Sequence, residues 1–108
     1  MVDLATLVGD WQIKTSTFIL PAIGVSQCAE ANPRRWGIGF SHFKNSDVAV
    51  SPLVPGQGDL NVNLGPFSFV WFEWPKHNVL VTMPWLFHNY VGGAESLVVC
   101  EIIQSARG

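Results

Sequence analysis

The sequence predicts an all-β fold, an antiparallel β-sandwich or jelly roll, in one domain over residues 1–108. Apolar and polar residues alternate with a period of two through most of the chain, as they do in half-buried strands. Proline and glycine interrupt these runs at short intervals. Short strand-like runs separated by such breakers are typical of sandwiches and jelly rolls. A chain of 108 residues has the length of a single domain.

The first half of the chain yields one helix and three strands. A short helix is expected over residues 2–9, where three aliphatic residues would share a face. Residues 11–16 alternate and predict the first strand. Residues 36–42 and 47–51 alternate on either side of the polar corner KNSD, and we interpret them as the two strands of a hairpin.

The second half predicts further strands and one ambiguous segment. Residues 60–64 alternate most cleanly and predict a half-buried strand. Residues 67–74 and 97–103 are apolar on both faces, which predicts strands covered on both sides. Residues 79–83 form another apolar run after a proline turn. Residues 83–90 are interpreted as a single turn or an aromatic loop.

The composition is unusually apolar for so small a domain. Residues of the AVILMFWYC set make up 48% of the chain, and charged residues only 13%. There are five tryptophans and seven phenylalanines. Because a small domain has a large surface for its volume, it cannot hide all of these side chains in its own core. We therefore expect part of the apolar surface to meet another protein chain.

The charge distribution and the lack of targeting patterns argue against nucleic acid and membranes as partners. The net charge is −2, and the six Lys and Arg residues are scattered apart from the pair Arg34–Arg35. Binding to nucleic acid through its phosphates needs a denser basic surface. The first residues lack a secretory pattern, and residues 77–94 carry too many polar and breaker residues to cross a bilayer. Cys28 and Cys100 are expected to be free thiols in a reducing cytosol.

Motifs of catalysis are missing from the sequence. It has no Gly-x-Ser-x-Gly elbow, no phosphate-binding Gly-x-x-x-x-Gly-Lys-Ser/Thr loop and no dinucleotide-binding glycine motif before a helix. The three histidines are not spaced as metal ligands with another His, Cys or carboxylate. We predict a protein that is not an enzyme and that holds no cofactor and no metal.

Glu101 and the arginine pair form a predicted structural anchor. Glu101 lies within the apolar run 97–103, where a lone buried carboxylate would be costly. Arg34 and Arg35 would point to opposite faces if both belong to a strand. One of them is a candidate partner for Glu101, because Arg binds a carboxylate with two parallel hydrogen bonds. The other would point outward.

The aromatic residues near the end of the chain allow two interpretations. They could form a ring-lined groove for a sugar, or they could carry a subunit or capsid contact, because Trp and Tyr supply much of the binding energy at interfaces. Other members of the group would belong to the core. The residues predicted for this surface are Trp71, Trp74, Trp85, Phe87 and Tyr90, with Phe72 beside them.

The order of these signals resembles small β-rich virion proteins of tailed bacteriophages. An Asn-Pro-x-Arg break is followed by an apolar strand, a short strand, a Pro-Gly corner, an aromatic strand and a last strand with an apolar-apolar-Glu run. The matching residues are Asn32–Arg35, Trp36–Ser41, Val48–Ser51, Pro55-Gly56, Phe69–Phe72 and Val98–Glu101. The chain departs from that pattern in the glycines of its first matching strand and in the longer segment 77–95.

That resemblance implies a capsid decoration or cement protein, or a head-fibre or tail accessory subunit. Such a protein, made in the host cytoplasm, would lie on the capsid surface, bind the major capsid protein and act as a homotrimer that gains avidity from several contacts. The alternative is a carbohydrate-binding or receptor-binding module that uses the exposed aromatic rings. A third alternative, a small cupin-type enzyme, lacks the paired His and Glu ligands that its chemistry needs.

Overall fold

The computed structural model describes residues 11–53, 61–74, 78–90 and 93–104. Within these ranges, eight strands and one short helix follow one another. They are β1 (Trp11–Leu20), β2 (Gly24–Ala29), β3 (Arg35–His42), β4 (Val48–Pro52), β5 (Val62–Leu64), β6 (Ser68–Glu73), α1 (Asn78–Thr82), β7 (Trp85–Asn89) and β8 (Glu95–Gln104).

The strands form two four-stranded antiparallel sheets that face each other. The order in the first sheet is β1-β8-β3-β6, and the order in the second is β2-β7-β4-β5. Most neighbours within a sheet are far apart in sequence, as in a jelly roll. The prediction of an all-β sandwich or jelly roll is confirmed.

The predicted hairpin of residues 36–42 and 47–51 is wrong, although both strands exist. β3 pairs with β6 and β8, whereas β4 pairs with β5 and β7. The polar corner between them therefore carries the chain from one sheet to the other. A short polar connection looks the same in sequence whether its two strands pair or pack face to face, so the pattern could not distinguish these arrangements.

The core lies between the two sheets and is built from alternate residues of the central strands. The first sheet contributes Ile38, Phe40, Leu97 and Val99, which are all fully buried. The second sheet contributes Val48, Val50, Leu64, Trp85 and Phe87. The rings interlock, because Phe40 and Phe72 each lie 5.0 Å from Trp85 between ring centroids, within the range of favourable aromatic pairs.

Three further expectations about the second half are corrected. Residues 83–90, expected as a turn or loop, contain β7, which is a central strand of the second sheet. The apolar run 79–83 is mostly helix α1, which ends before Pro84 because proline disfavours helical backbone in the preceding residue. Residues 67–74 contain β6, an edge strand with Phe69 60% exposed, so it is covered on one side rather than on two.

Some sequence predictions fall outside the described residues. They are the helix over residues 2–9, Leu60 of the strand 60–64, and the corner Pro55-Gly56. Within the described ranges, the single helix is five residues long, and none is long and apolar enough to cross a membrane.

Candidate functional surfaces and clefts

The outer face of the first sheet is the surface formed by side chains that point away from the core. Directly paired residues share a face, so the register defines this surface: Ile13 pairs with Ile102, which pairs with Gly37. Its members are Ile13, Thr15, Thr17 and Ile19 of β1, Ser96, Val98, Cys100 and Ile102 of β8, Gly37, Gly39 and Ser41 of β3, and Phe69, Trp71 and Glu73 of β6.

This face is apolar, exposed and almost without charge. Ile13, Ile19 and Phe69 are 60%, 62% and 60% exposed. Its one charged member is Glu73, whose carboxylate accepts a hydrogen bond of 3.1 Å from the indole of Trp71. Four strands about 4.8 Å apart and seven residues long make a face of roughly 400 Å², and contiguous apolar patches of a few hundred Å² mark interaction sites.

Glycines in β3 make room for the aromatic part of this face. A Cβ at Gly39 would lie 2.6 Å from Cε3 of Trp71 and 2.9 Å from Phe69, and a Cβ at Gly37 would also overlap the indole. The rings of Phe69 and Trp71 are stacked at a centroid distance of 6.5 Å. The two glycines therefore let the rings lie flat against the sheet.

Arg35 joins both sheets and the helix at one end of the sandwich. Its Nε donates to Oε1 of Glu101 at 2.8 Å, and its Nη2 contacts the same oxygen at 2.7 Å. Its Nη1 donates to the carbonyls of Val81 and Met83, each at 3.0 Å, and its Nη2 donates to the carbonyl of Glu30. Of the two arginines considered from sequence, Arg35 is the partner of Glu101, and it is 3% exposed, whereas Arg34 is exposed.

A polar cleft of about 310 Å³ lies beside this anchor, lined in part by Lys14, Cys28 and Glu101. Burial raises the pKa of the Cys28 thiol to about 12, against partial opposition from a backbone hydrogen bond and the Arg35 charge. The thiol is therefore protonated at neutral pH and is a poor nucleophile, since the thiolate is the reactive form. With the guanidinium of Arg35 already bonded, the cleft presents no activated catalytic group among the described residues.

A second buried polar cluster, at the other end of β3, contains His42, Ser46 and Glu95. Nε2 of His42 lies 2.9 Å from Oε1 of Glu95, and its Nδ1 lies 3.2 Å from the carbonyl of Gly65. The hydroxyl of Ser46 donates to the same Glu95 oxygen at 3.0 Å. In a catalytic triad the serine and the carboxylate meet opposite nitrogens of the histidine. Here the hydroxyl of Ser46 and the carboxylate of Glu95 both contact Nε2 of His42. The cluster therefore connects the polar corner to β8 and does not activate Ser46.

The pKa of Glu95 is lowered in this cluster. Burial acts to raise it, but hydrogen bonds from His42 and Ser46 and the nearby Lys44 charge outweigh that effect. In the part of the chain that the structure describes, no group of three His, Cys, Asp or Glu side chains is placed to hold a metal ion.

Another cleft, of about 320 Å³, lies at the Arg35 end and is lined by Arg34, Trp36, Trp74, Thr82 and Gln104, with Pro33 and Arg35. The backbone N–H of Trp74 donates to the carbonyl of Trp36 at 2.8 Å, which fixes the two tryptophans side by side. Trp74 is 48% exposed.

The predicted aromatic surface does not exist as one site. Trp85 and Phe87 are 0% exposed in the core, which corrects their expected place at a subunit or capsid surface. Trp71 lies on the outer face of the first sheet. Trp74 lies beside Trp36 at the start of β3, whereas Tyr90 follows Asn89, which pairs with Val48 beyond the corner. Trp74 and Tyr90 thus lie at opposite ends of the sandwich.

Sequence reasoning missed the His42 cluster and the role of Trp36. The members of the cluster are up to 53 residues apart, so no local spacing could reveal it. Trp36 was assigned to a strand face, but its pairing with Trp74 depends on the register of β3 and β6. The exposed outer face could have been inferred, because apolar residues on both sides of 67–74 and 97–103 must face something other than the core.

Similar folds occur in solved structures at very low sequence identity. A de novo designed double-stranded β-helix matches with a TM-score of 0.57 at 8% identity, over 82% of this chain and 97% of that one. An RmlC-like cupin protein from Desulfovibrio desulfuricans matches with a TM-score of 0.58 at 8% identity, over 82% and 70%. A protein of the disulfide-linked pili of Bacillus endospore appendages matches with a TM-score of 0.55 at 8% identity, over 89% of each chain.

At such identities these likenesses establish the fold alone, a jelly-roll-like β-sandwich similar to the double-stranded β-helix. No protein-family model matches the chain. No curated protein matches it either.

Proposed function

We propose that this chain is a non-enzymatic structural virion protein, a capsid decoration or cement subunit that acts as a homo-oligomer, most simply a trimer. The observation that carries the proposal is the outer face of the first sheet, which exposes Ile13, Ile19 and Phe69 on a surface with one charged residue. Such a face needs a protein partner, and a face without repelling charges suits contact between identical subunits.

The rest of the molecule supports a binding role. The two buried polar clusters serve as structural ties, because Arg35 has its donors bonded within the fold and Ser46 is not activated by His42. A protein with this fold builds the Bacillus endospore pili, which is a use of the same scaffold in an assembly. The resemblance in the order of sequence signals to phage virion proteins is the basis for proposing the capsid surface as the location and the major capsid protein as the partner.

The native mass of the purified protein tests the assembly part of this proposal. We expect a trimer of about 36 kDa, from the 11.9 kDa chain, in sedimentation equilibrium. Ile13→Lys should give a folded monomer, because it places a charge on the outer face of the first sheet. Ile23→Lys is the matched control, since Ile23 is 66% exposed and lies outside that face. A wild-type monomer, or equal effects of both variants, would argue against the proposal.

Co-sedimentation with shells of the major capsid protein from the same genome tests the virion part. We expect the oligomer to pellet with the shells at a fixed stoichiometry. If the intact oligomer does not pellet with the shells, the capsid role is rejected. Self-association would still stand, because it is measured separately by the native mass.

A further inference from the structure

The cleft between Arg34, Trp36 and Trp74 contains a cation that the fold does not use. The backbone of Arg34 is fixed on both sides: its N–H donates to Oδ1 of Asn32 at 2.9 Å, and its carbonyl accepts from Gln104 at 2.8 Å. Among the described residues its guanidinium makes no hydrogen bond or ion pair, whereas that of the adjacent Arg35 is fully bonded. An exposed guanidinium on a fixed backbone suits a carboxylate, which it can bind bidentately.

The two tryptophans give the same cleft an apolar wall. Trp36 and Trp74 are linked by their backbones at 2.8 Å, and both line the cleft. Residues paired in this way have side chains on one side of the sheet, about 5 Å apart at Cβ. Indole rings offer a large flat surface at which apolar C–H groups are removed from water.

The remaining lining residues narrow the class of ligand. Thr82 and Gln104 are the polar, uncharged residues of the lining. Of the two arginines in the lining, Arg35 is already bonded within the fold, and the charge of Arg34 alone is too little for a polyphosphate or a nucleic acid backbone. A ring with an apolar C–H face, several hydroxyls and one carboxylate complements indole, polar rim and guanidinium together. The volume of about 320 Å³ lies at the lower end of small-ligand sites, near the size of one or two sugar units.

We infer that this cleft binds a carboxylated sugar, with the carboxylate on Arg34 and the ring on Trp36 and Trp74. This binding site is separate from the outer face of the first sheet and does not depend on the proposed capsid role. It would give the protein a second contact, with an acidic glycan, while the sheet face is occupied by neighbouring subunits.

Titration of tryptophan fluorescence, confirmed by calorimetry, tests the site. The probes are tetragalacturonate and sialyllactose, each against an uncharged counterpart: methyl-esterified tetragalacturonate and lactose. We expect at least one acidic probe to bind about tenfold more tightly than its counterpart, which is the discrimination that one charge-assisted contact supports. Binding of neither acidic probe, or equal binding of the uncharged counterpart, would overturn the inference.

Variants assign the binding to this cleft. Arg34→Gln should weaken acidic binding about tenfold and leave the weak binding of the uncharged probe unchanged, and Trp74→Ala should weaken both. Trp74→Phe keeps an aromatic ring and should retain most of the affinity, which guards against a misfolded Trp74→Ala. Tyr90→Ala, at the opposite end, is the control and should bind as wild type. Loss of binding in Tyr90→Ala, or full binding in Trp74→Ala, would place the ligand elsewhere and reject the site.

Discussion

Adjacent arginines have opposite roles in this chain. Arg35 is 3% exposed and bonds to Glu101 and three backbone carbonyls, whereas Arg34 faces solvent. A β-bulge lies between Arg35 and Gly37 in the pairing with β8, and it re-aims the side chains at the start of β3. The sequence alone predicted that one arginine would pair, but the local register decided which one.

Replacing Arg35 should cost far more stability than replacing Arg34. Arg35→Ala leaves the buried Glu101 carboxylate and three carbonyls without their donors, so we expect a loss of about 3–5 kcal/mol in the free energy of unfolding. Arg34→Ala should change it by less than about 0.5 kcal/mol. Urea denaturation measures both, and a double-mutant cycle of Arg35→Ala with Glu101→Ala should show coupling of about 1 kcal/mol or more. Additive losses would contradict the ion pair.

The lowered pKa of Glu95 makes part of the stability sensitive to acid. Because the native pKa lies below the ordinary value of 4.5, the contribution is complete above pH 4.5 and is lost as the pH falls through the native pKa. We expect Glu95→Gln to be less stable than wild type at pH 7 and to lose less stability on acidification. Urea midpoints measured from pH 7 to about pH 3 test this. The same acid dependence in both proteins would show that Glu95 does not carry it.

Among the strands, β3 has glycines where the aromatic rings of β6 pack over it. Gly37 and Gly39 face Trp71 and Phe69 across the β3–β6 pairing, on the outer side of the sheet. Alternating glycines weaken a strand unless something packs against the bare backbone. Here the stacked rings do so, which explains why β3 alternates large core residues with glycine.

Gly39→Ala should destabilise the protein, because its Cβ would lie 2.6 Å from the indole of Trp71. The expected loss is about 1–3 kcal/mol, the usual cost of overpacking. In a Trp71→Ala background the same substitution should cost less, since the nearer of the two obstructing rings is gone and only Phe69, at 2.9 Å, remains. Gly93→Ala is the control, because a Cβ there meets no atom within 4 Å. Thermal unfolding compares wild type, the two single variants, the double variant and the control, and equal losses in both backgrounds would reject the steric explanation.

Strand positions were predictable from the sequence, but strand partners were not. The period of two located β1, β3 and β4, and the continuous apolar run 97–103 located β8. β7 was missed because Pro84 and three aromatic residues resemble a loop, and only the second sheet gives that segment a partner on each side. The arginine–glutamate anchor was predictable because a carboxylate in an apolar strand needs a cation. The Arg34 cleft was not, since it depends on four separate segments meeting at one end.

For the whole molecule, stability comes from the packing of two sheets and not from a covalent link. Cys28 lies in β2 of the second sheet and Cys100 in β8 of the first, and both are free thiols. Cys100 belongs to the outer face of the first sheet, whereas Cys28 lines the polar cleft beside Arg35. This agrees with the expectation of two free thiols.

The reducing agent dithiothreitol should therefore leave the melting temperature unchanged. Alkaline solution should lower the stability. The native pKa of Cys28 is about 12, against an ordinary value of 9.0, so the fold favours the protonated thiol. The free energy of unfolding therefore falls as the pH rises above 9.0. Cys28→Ala should reduce that alkaline loss. Urea midpoints at pH 8 and at about pH 10.5 measure the difference. An identical alkaline loss in Cys28→Ala would contradict the raised pKa.

The position of β8 has a consequence for how the protein is made. β8 lies between β1 and β3, so the first sheet has a gap at its centre until residues 95–104 have left the ribosome. Until then β1 and β3 lack the strand that pairs with both of them, and their apolar inner faces remain exposed. The growing chain must be kept from aggregating in this state. Formation of the first sheet is therefore expected to wait for β8, and arrested chains that end before β8 should remain sensitive to protease.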